Sequence, residues 1–419
     1  ITVKVTDDPN YEDATSTKGY TVRTLKAPTE SWRDHTEALS TDASVVYIST
    51  PGQLAMLAKE INEGKLDSKD LKVELVNDID LTGYIWEPIG SYTRSGLAGI
   101  NADLRYAFRG IFDGAGHTIR GLYVNGEDYN DYYGLFGFIN DATVKNLKIE
   151  ESYLKGNGGF GGIVGYMHGN SLIESCISNT TIDGTNGFNG GIVGDMYGTS
   201  TVRNCVNYGN VSGYSYVGGI AGQIWLDKNT ISIINCVNYG NITGEISVGG
   251  IAGRQIIGSV INNANFGNIV GTSANTGGIV GENDGKNAHV YNCYTAGTVT
   301  GSGKYVGAVV GRNNNDNGKV VHCYYLAGSA TCDGKNRSGL STEKDSVPDG
   351  NKGYQVASFT SASSALSRDC GYGKANLMSA LTKFIEEYRK NNAGSTVADW
   401  VEGKDGYPIL KGLPAYTQK

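Results

Sequence analysis

Residue types that carry catalysis are present in this sequence, but their spacing does not match the common catalytic motifs. The five histidines share no motif with one another: His35, His117, His168, His289 and His322. The segment GNGGFG at 156–161 fits the dinucleotide pattern GxGxxG, yet it opens no helix that would hold a pyrophosphate. The segment GYSYV at 213–217 departs from the nucleophile elbow GxSxG in its last residue. We therefore assign no catalytic residue and predict that the protein is not an enzyme.

Acidic residues near the N-terminal end leave one enzymatic alternative open. Cleavage of a polysaccharide requires two carboxylates, or a carboxylate with a base or a metal, held close together. Asp78, Asp80 and Asp113, with the Ser-, Gly- and Arg-rich segment 91–105, would supply such a group if the fold brought them together. A polysaccharide lyase or glycoside hydrolase is therefore kept as the alternative function.

Metal chemistry has little support in the sequence. The seven cysteines include no CxxC pair and no Cys/His spacing of the kind that binds zinc. The segment NNNDNG at 313–318, beside Glu282 and Asp284, offers oxygen ligands. However, Asp316 is its one acidic residue, and the twelfth position, where a calcium loop carries glutamate, is Tyr324. We predict no metal site and no cofactor.

Aromatic and apolar residues indicate binding rather than catalysis. Four of them follow repeated GGIVG-type phrases, in segments that we expect to be loops stacked along one edge: Met167, Tyr197, Trp225 and Ile257. Tyrosine and tryptophan are favoured contact residues, so we predict that these four bind a ligand. In the alternative, the loops fold back and pack on one another. A second row, Tyr208, Tyr239 and Phe266, would either stack sugars or pack between neighbouring turns of the chain.

These residues belong to a repeat written six times between Gly159 and Leu326. The second position of each GG-type opening recurs every 28 to 31 residues, at Gly162, Gly191, Gly219, Gly250, Gly278 and Ala308. A period in this range is typical of a solenoid, and each unit holds three short apolar phrases that read as strands. With three earlier coils, at 71–90, 106–125 and 131–156, the sequence predicts an all-β fold: a right-handed parallel β-helix of about nine coils.

Within each repeat, two inward columns lie three residues apart, which a flat strand cannot satisfy. The first column is Val144, Ile173, Val202, Ile233, Ile261, Val290 and Val320; the second is Leu147, Cys176, Cys205, Cys236, Ala264, Cys293 and Cys323. The residue before the second column is Asn146, Ser175, Asn204, Asn235, Asn263, Asn292 and His322. Because Asn tolerates left-handed backbone, we predict a sharp corner there, with amides bonded from coil to coil.

The outward column beside this corner carries no pair of carboxylates. It contains Lys145, Glu174, Arg203, Ile234, Asn262, Tyr291 and Val321. Its first three residues alternate in charge, as a solvated ladder would. This absence of paired acids makes an enzyme the minority hypothesis.

The chain divides into three parts on these patterns. Residues 1–44 are irregular, although YTVRTL could be a strand. Residues 45–327 form the β-helix, whose first end is covered by a helix over 51–63, with Thr50 and Gln53 as a capping box. Residues 328–419 are loop-rich, with a helix over 374–392 that we expect to cap the other end. Such caps would hide apolar side chains and unpaired strand edges.

Composition restricts the partners and the location. With 419 residues, a net charge of −7 and 18% charged residues, the chain has no electrostatic basis for nucleic-acid binding. It contains no apolar run of about 18 residues, so we predict no transmembrane segment, and we expect a monomer. The chain starts at Ile1 without a signal peptide, as a mature or trimmed form would. Cys332 and Cys370 lie outside the inward column and are the candidate disulfide.

The repeats resemble those of the GLUG-motif proteins, a bacterial cell-surface group. The similar segments are GLFGFI, GGIVGYM, GGIVGDM, GGIAGQI, GGIAGRQ and GGIVGEN, and the resemblance covers about residues 47–326. It implies a secreted or surface-attached, adhesin-like protein. Some proteases carry such repeats as accessory segments, but their HExxH zinc motif is absent here. We therefore expect a non-enzymatic extracellular or cell-surface protein that binds a glycan or a surface protein of a host or neighbouring cell. A structural spacer is a third possibility.

Overall fold

The chain forms a parallel β-helix in which strands of successive coils pair side by side. The computed structural model describes residues 11–15, 21–25, 28–42, 45–92, 103–128, 131–227, 231–313, 319–332, 335–336, 340–341, 354–367, 369, 372–373 and 375–415. The described residues make about nine coils, and pairing between coils is parallel throughout the solenoid. The predicted all-β, parallel β-helix fold is therefore confirmed.

The first sheet carries the strand before the predicted corner. Its strands are Val45–Ile48, Lys72–Leu75, Ile111–Asp113, Thr143–Lys145, Leu172–Glu174, Thr201–Arg203, Ser232–Ile234 and Val320–Leu326. After the corner the chain continues as Ile79–Asp80, Thr118–Arg120, Lys148–Gly156, Ile177–Gly184, Val206–Asn207, Val237–Asn238, Ala264–Asn265, Tyr294–Thr295 and Tyr354–Phe359. A third set consists of Tyr123–Gly126, Val211–Gly218, Ile242–Gly249, Ile269–Gly271, Val299–Gly301 and Ala330–Cys332.

Short corner strands then lead into the sheet that carries the candidate site. The corner strands are Tyr132–Tyr133, Gly159–Gly161, Asn189–Gly190, Asn275–Gly277 and Tyr305–Gly307. The strands of the site sheet are β1 (Phe136–Asn140), β2 (Val164–His168), β3 (Val193–Gly198), β4 (Ala221–Asp227), β5 (Ala252–Ile261), β6 (Val280–Tyr291) and β7 (Val310–Asn313). Strands β5 and β6 run on into the first sheet of their coils.

The doubled glycines are explained by the close approach of neighbouring coils at the entry to this sheet. A Cβ atom on Gly191 would lie 2.3 Å from the carbonyl oxygen of Gly219. One on Gly219 would lie 2.2 Å from that of Gly250. Real Cβ atoms do not approach backbone oxygen so closely, so a larger residue would push the coils apart. The glycine pair therefore recurs once per coil, at a point where neighbouring coils come into close contact.

The predicted corner is confirmed, with an error of one residue in the fourth of the six repeats. The backbone is left-handed at Asn204 and Asn235 (φ +56° each) and at Asn292 (φ +51°). In the fourth repeat the corner residue is Asn262 (φ +60°), and Asn263 occupies the inward position that we assigned to Ala264. Val260, and not Ile261, pairs with Ile233. Two adjacent asparagines satisfy the sequence pattern equally well, so the pattern alone did not fix the register.

Asn263 fits the inward column because its amide is fully hydrogen-bonded. Its Oδ1 accepts from the backbone N–H of Cys236 at 2.7 Å, and its Nδ2 donates to the carbonyl of Ile233 at 3.1 Å. The cysteines of the same column are completely buried, and burial raises the pKa of the Cys176 and Cys205 thiols. They act as small core residues. The Cys332 thiol lies 3.4 Å from the carbonyl oxygen of Gly303, and Cys370 is outside the described residues.

Helix α1 (Pro51–Asn62) packs on the first coils. The Thr50 hydroxyl accepts from the backbone N–H of Gln53 at 3.2 Å, while the Gln53 side chain accepts from Ser49 N–H at 2.8 Å. Its apolar side is buried in the same core cluster as the strands: Leu54, Leu57, Ala58 and Ile61. The N-terminal segment is more regular than predicted, because Tyr11–Thr15 and Thr21–Leu25 pair antiparallel. Residues 1–10, and residues 93–102 of the Ser-, Gly- and Arg-rich segment, are outside the described residues.

The buried side of helix α2 (Leu377–Asn391), which we expected to cap the end of the solenoid, packs on the flank of the coils. Its buried residues join a second apolar cluster on the flank, made by residues that follow the corner: Ile177, Val206, Val237, Ala264, Tyr294 and Tyr324. These side chains point away from the central core and need a cover. The predicted loop region also contributes a further strand, Tyr354–Phe359, which pairs with Val320–Leu326.

The corner amides hold this C-terminal segment in place. The Nδ2 groups of Asn235, Asn262 and Asn292 each donate once to the preceding corner residue and once to the segment. Asn235 donates to Asn204 Oδ1 at 2.9 Å and to Thr396 O at 2.8 Å. Asn262 likewise donates to Asn235 Oδ1 and Ala398 O, both at 2.9 Å. These corner asparagines therefore both form the turn of their coils and bind the C-terminal segment.

Candidate ligand-binding face

The outward side of β1–β7 carries two columns of polar and aromatic residues, which we call the ladder face. Register between the strands places seven residues in its central column: Phe138, Tyr166, Asp195, Gln223, Arg254, Glu282 and Arg312. Two positions further along each strand is the outer column, which contains Asn140, His168, Tyr197, Trp225 and Asp284. Alternate residues in a strand point to opposite faces, so the residues between the columns point inward.

The structure brings two of the four predicted binding residues onto this face. Tyr197 and Trp225 are half-buried members of the outer column. Met167 is fully buried in the core, so its prediction as a binding residue is wrong. Ile257 is partly buried against the same core, beyond an irregularity in the pairing of β5. The predicted loops are in fact strands, and the period of two sends Met167 inward between Tyr166 and His168.

Sequence reasoning missed His168, Asp195 and Gln223. A signal for them existed, because GYMH, GDMY and GQIW each place one apolar residue between two polar or aromatic ones. Such alternation is typical of a half-buried strand. Reading these segments as loops hid that signal.

The outer column forms a row of rings. The His168 and Tyr197 rings are stacked, with centroids 5.0 Å apart and 15° between their planes. The Tyr197 and Trp225 centroids are 5.5 Å apart, with planes at 83°. Asn140 Oδ1 lies 2.7 Å from His168 Nδ1 and fixes the first ring. Because Tyr197 and Trp225 meet edge to face, they leave ring surface uncovered that a parallel stack would hide.

Asp195 lies beneath this row and is the most unusual group on the face. Its side chain is 1% exposed. Its Oδ2 accepts from the Tyr132 hydroxyl at 3.1 Å and from the Trp225 indole N–H at 3.3 Å. Its Oδ1 has no hydrogen-bond partner among the described residues. Burial raises the pKa of Asp195 to about 7, because the ionised form loses its hydration in an apolar site.

Aromatic residues wall Asp195 in. The rings of Tyr92 and Tyr132 have centroids 5.0 Å apart, and that of Tyr92 lies 4.7 Å from that of Tyr166. On the neighbouring corner, Phe188 (φ +65°) and Tyr216 (φ +52°) adopt left-handed backbone, which bulky residues rarely do. The centroid of the Phe188 ring lies 6.2 Å from that of Tyr132 and 5.5 Å from that of Tyr216. This half of the face is thus a rigid aromatic recess with one buried carboxyl group.

The other half of the ladder face is charged and internally paired. Arg254 contacts Asp284 at 2.7 Å and Glu282 at 3.7 Å, and Arg312 contacts Glu282 at 2.9 Å. The Ser247 hydroxyl donates to Glu282 at 2.7 Å. The guanidinium of Arg254 also lies over the ring of Tyr216, 5.3 Å from its centroid. The positive and negative charges of this network balance.

These acids do not form a hydrolytic pair. Register separates Asp195 from Glu282 by three coils, about 14 Å at the usual strand spacing. Retaining and inverting glycosidases hold their two carboxyl groups roughly 5 to 9.5 Å apart. In addition, Glu282 forms an ion pair with Arg312.

The acids retained for an enzymatic site near the N-terminal end are also paired with bases or amides. Asp113 contacts Lys145 Nζ and Asn146 Nδ2, both at 3.0 Å. Asp78 accepts from Thr118 N–H at 2.9 Å and lies 3.2 Å from His117, contacts that hold its pKa below the ordinary value. A general acid needs the opposite shift. Asp80 lies 3.9 Å from Arg120.

The rings of the second aromatic row, Tyr208, Tyr239 and Phe266, pack on one another between neighbouring coils. This is one of the two arrangements that the sequence suggested, the other being stacking on sugars. The Tyr208 and Tyr239 rings are 4.9 Å apart at 5°, and those of Tyr239 and Phe266 are 5.0 Å apart at 7°. Parallel rings at this spacing leave no room for a sugar between them. A pocket of about 390 Å³ lies between this row and residues 401–415 of the C-terminal segment, and its lining is mainly apolar.

The part of the chain that the structure describes holds no group of three or more His, Cys, Asp or Glu residues placed to bind a metal ion. Residues 314–318 of the considered calcium loop are outside it. Neither helix that the structure describes has both the length and the apolar character needed to cross a membrane.

Comparisons with known proteins give limited similarity. No model of a known protein family matches this sequence. Over 117 residues, or 26% of this chain, it is 35% identical to a protein of Evansella cellulosilytica with the provisional name Gly-rich membrane protein. The match spans 12% of that relative's length.

Among solved structures, the chain is similar to a provisionally named immunoglobulin A1 protease from Bacteroides ovatus. The two share 19% sequence identity and a TM-score of 0.48, over 88% of this chain and 93% of the other. The fold described above stands on the strand pairing of this chain itself.

Proposed function

We propose that this protein is a non-enzymatic, adhesin-like surface protein that binds a glycan through the aromatic half of its ladder face. The observation that carries the proposal is the placement of Tyr197 and Trp225 on adjacent coils, beside Asp195 and Gln223 in register. The partner is a glycan of a host cell, a neighbouring cell or the surrounding matrix.

The chemistry of this half suits a sugar. Sugar rings present apolar C–H faces and hydroxyl groups, so they bind where aromatic surface adjoins a few fixed polar groups. Tyr197 and Trp225 supply the aromatic surface. The Gln223 amide has two donors and an acceptor, and a carboxyl group such as that of Asp195 bonds to hydroxyls. The strands hold all four in place, so little ordering is required on binding.

An extracellular or cell-surface location belongs to the same proposal. The glycine-rich repeats and the resemblance to surface proteins support it, and the provisional name of the Evansella relative is compatible with it. The GLUG-motif assignment itself remains our interpretation of the repeated phrases.

The enzymatic alternative is disfavoured by the pairing of the described acids with bases and by the long separation of Asp195 from Glu282. The spacer alternative is disfavoured by the buried carboxyl group, because a spacer gains nothing from a carboxyl oxygen without a partner. Each alternative makes a distinct prediction: turnover of a polysaccharide in one case, and no ligand in the other.

The test is a glycan and extracellular-matrix array probed with the purified chain and three variants. Trp225→Ala and Tyr197→Ala remove the aromatic surface, and each should weaken a specific hit at least tenfold, as expected for a central aromatic contact. Tyr214→Ala is the matched control, since Tyr214 is a tyrosine 46% exposed on a different strand of the solenoid.

Equal loss in all three variants, or none in any, would contradict the assignment of the site. Release of reducing or unsaturated ends from a bound polysaccharide would favour the enzymatic alternative. No hit on the array would leave the spacer.

A further inference from the structure

Resting on the proposed function, we infer that the glycan is electrically neutral and binds where Trp225, Gln223 and the carboxyl group of Asp195 meet. The inference follows from how the charges of the ladder face are distributed and occupied.

The cations of the face are committed to other groups. Arg254 bridges Asp284 (2.7 Å) and Glu282 (3.7 Å), and Arg312 binds Glu282 (2.9 Å). These carboxylates already neutralise both arginines, so an acidic sugar would gain less from either arginine than from an unpaired cation, and would compete with the carboxylates for it. The Glu282 side chain is 8% exposed, so its displacement would strand a buried charge.

A further cation, Lys304, is too far from the aromatic recess to assist. Its ammonium lies over the Tyr305 ring, 4.9 Å from the centroid. Register places the coil of Tyr305 four coils from that of Asp195, about 19 Å at the usual strand spacing. A ligand that contacts Trp225 would need to span most of the face to reach it.

The recess itself disfavours a charged sugar. Asp195 is buried among Tyr132, Tyr166 and Trp225, where any charge loses its hydration. An acidic sugar beside Asp195 would bring a charge into this apolar site. A hydroxyl group would instead supply the hydrogen bond that Asp195 Oδ1 lacks among the described residues. Burial thus selects a neutral, hydroxyl-bearing ligand.

The test compares related glycans of which one member is neutral and the other is charged. The probes are N-acetylglucosamine oligosaccharides with their deacetylated, cationic forms, and galactose oligosaccharides with galacturonic acid oligosaccharides. Each is titrated by calorimetry at 50 and 500 mM NaCl. We expect a neutral member to bind at least tenfold more tightly than its charged counterpart, with less than a twofold change between the two salt concentrations, since screening acts on charged ligands.

A second arm uses Glu282→Gln, which leaves the aromatic recess intact and releases the two arginines from their shared carboxylate. It should raise the affinity for galacturonic acid oligosaccharides at least threefold, with a gain that salt abolishes. Failure to gain would show that the ion pairs do not set the charge preference, and would contradict the inference.

Different results would contradict the charge preference and glycan binding itself. Tighter, salt-sensitive binding of an acidic or cationic oligosaccharide by the unmodified protein would overturn neutrality and leave glycan binding standing. The absence of binding to glycans of every charge class would overturn the proposed function and the inference with it.

Discussion

Replacement of Asp195 by asparagine should change how stability depends on pH. In the native protein the pKa of Asp195 is raised to about 7, and in the unfolded chain it returns to the ordinary value near 4. Between these two values the native state holds a proton that the unfolded state has released. Raising the pH through this window therefore favours the unfolded state, and the native protein loses stability.

The size of the effect follows from the two pKa values. They differ by roughly three pH units, and each unit is worth about 1.4 kcal/mol. The total loss is about 4 kcal/mol, of which about 3 kcal/mol falls between pH 5 and pH 8. No reduction for solvent screening applies, because the Asp195 side chain is 1% exposed. Asparagine at 195 keeps the shape and carries no titratable proton.

The assay is urea unfolding, followed by circular dichroism at pH 5, 6, 7 and 8, for the natural protein and Asp195→Asn. Titratable groups other than Asp195 contribute to both proteins and cancel in the difference. The natural protein should lose about 3 kcal/mol relative to the variant across this range. Parallel stability curves for the two proteins would refute the reasoning and show that Asp195 is solvated or paired in the native state.

Three further predictions concern the scaffold. Asn235→Ala should destabilise more than Asn235→Gly, by about 1 kcal/mol in urea unfolding, because both lose the amide bonds while alanine also resists the left-handed backbone; equal losses would contradict this. Gly219→Ala should lower the melting temperature far more than Gly116→Ala, since the new Cβ would meet Gly250 O at 2.2 Å, whereas at Gly116 nothing lies within 4 Å and the cost is that of alanine in left-handed backbone (φ +83°); equal shifts would disprove the close contact. Trp400→Ala should make residues 377–415 the first site of limited proteolysis, because Trp400 packs on Tyr294 and donates to Asn262; first cleavage within the coils would count against it.

The fold was predictable because its signal is repeated. Most repeats carry the same glycine pair and an asparagine at the same corner, so a weak local preference becomes a strong one when it recurs at a fixed period. The left-handed corner followed from the chemistry of asparagine at that position in most of the repeats. The register failed only in the repeat with Asn262 and Asn263 side by side, where pairing with the neighbouring coil decides the choice.

The C-terminal segment was harder to place, because its partner surface is distant in sequence. The amphipathic pattern of a helix indicates that one of its sides is buried, but it does not identify the surface on which that side packs. Its cover over the flank depends on residues such as Val206 and Tyr294 pointing outward, which is visible only once the corner is placed correctly. The candidate binding face was half predicted: Tyr197 and Trp225 stood out by residue type, whereas Asp195 is distinguished by its burial, which only the fold reveals.

The measurement that tests the central proposal most directly is a crystal structure of the protein with the strongest neutral oligosaccharide from the array. We predict a sugar ring against Trp225, with hydroxyl groups within hydrogen-bonding distance of Gln223 and of Asp195 Oδ1. A ligand bound elsewhere, for example in the pocket beside Tyr208 and Tyr239, would contradict the assignment of the ladder face as the binding site.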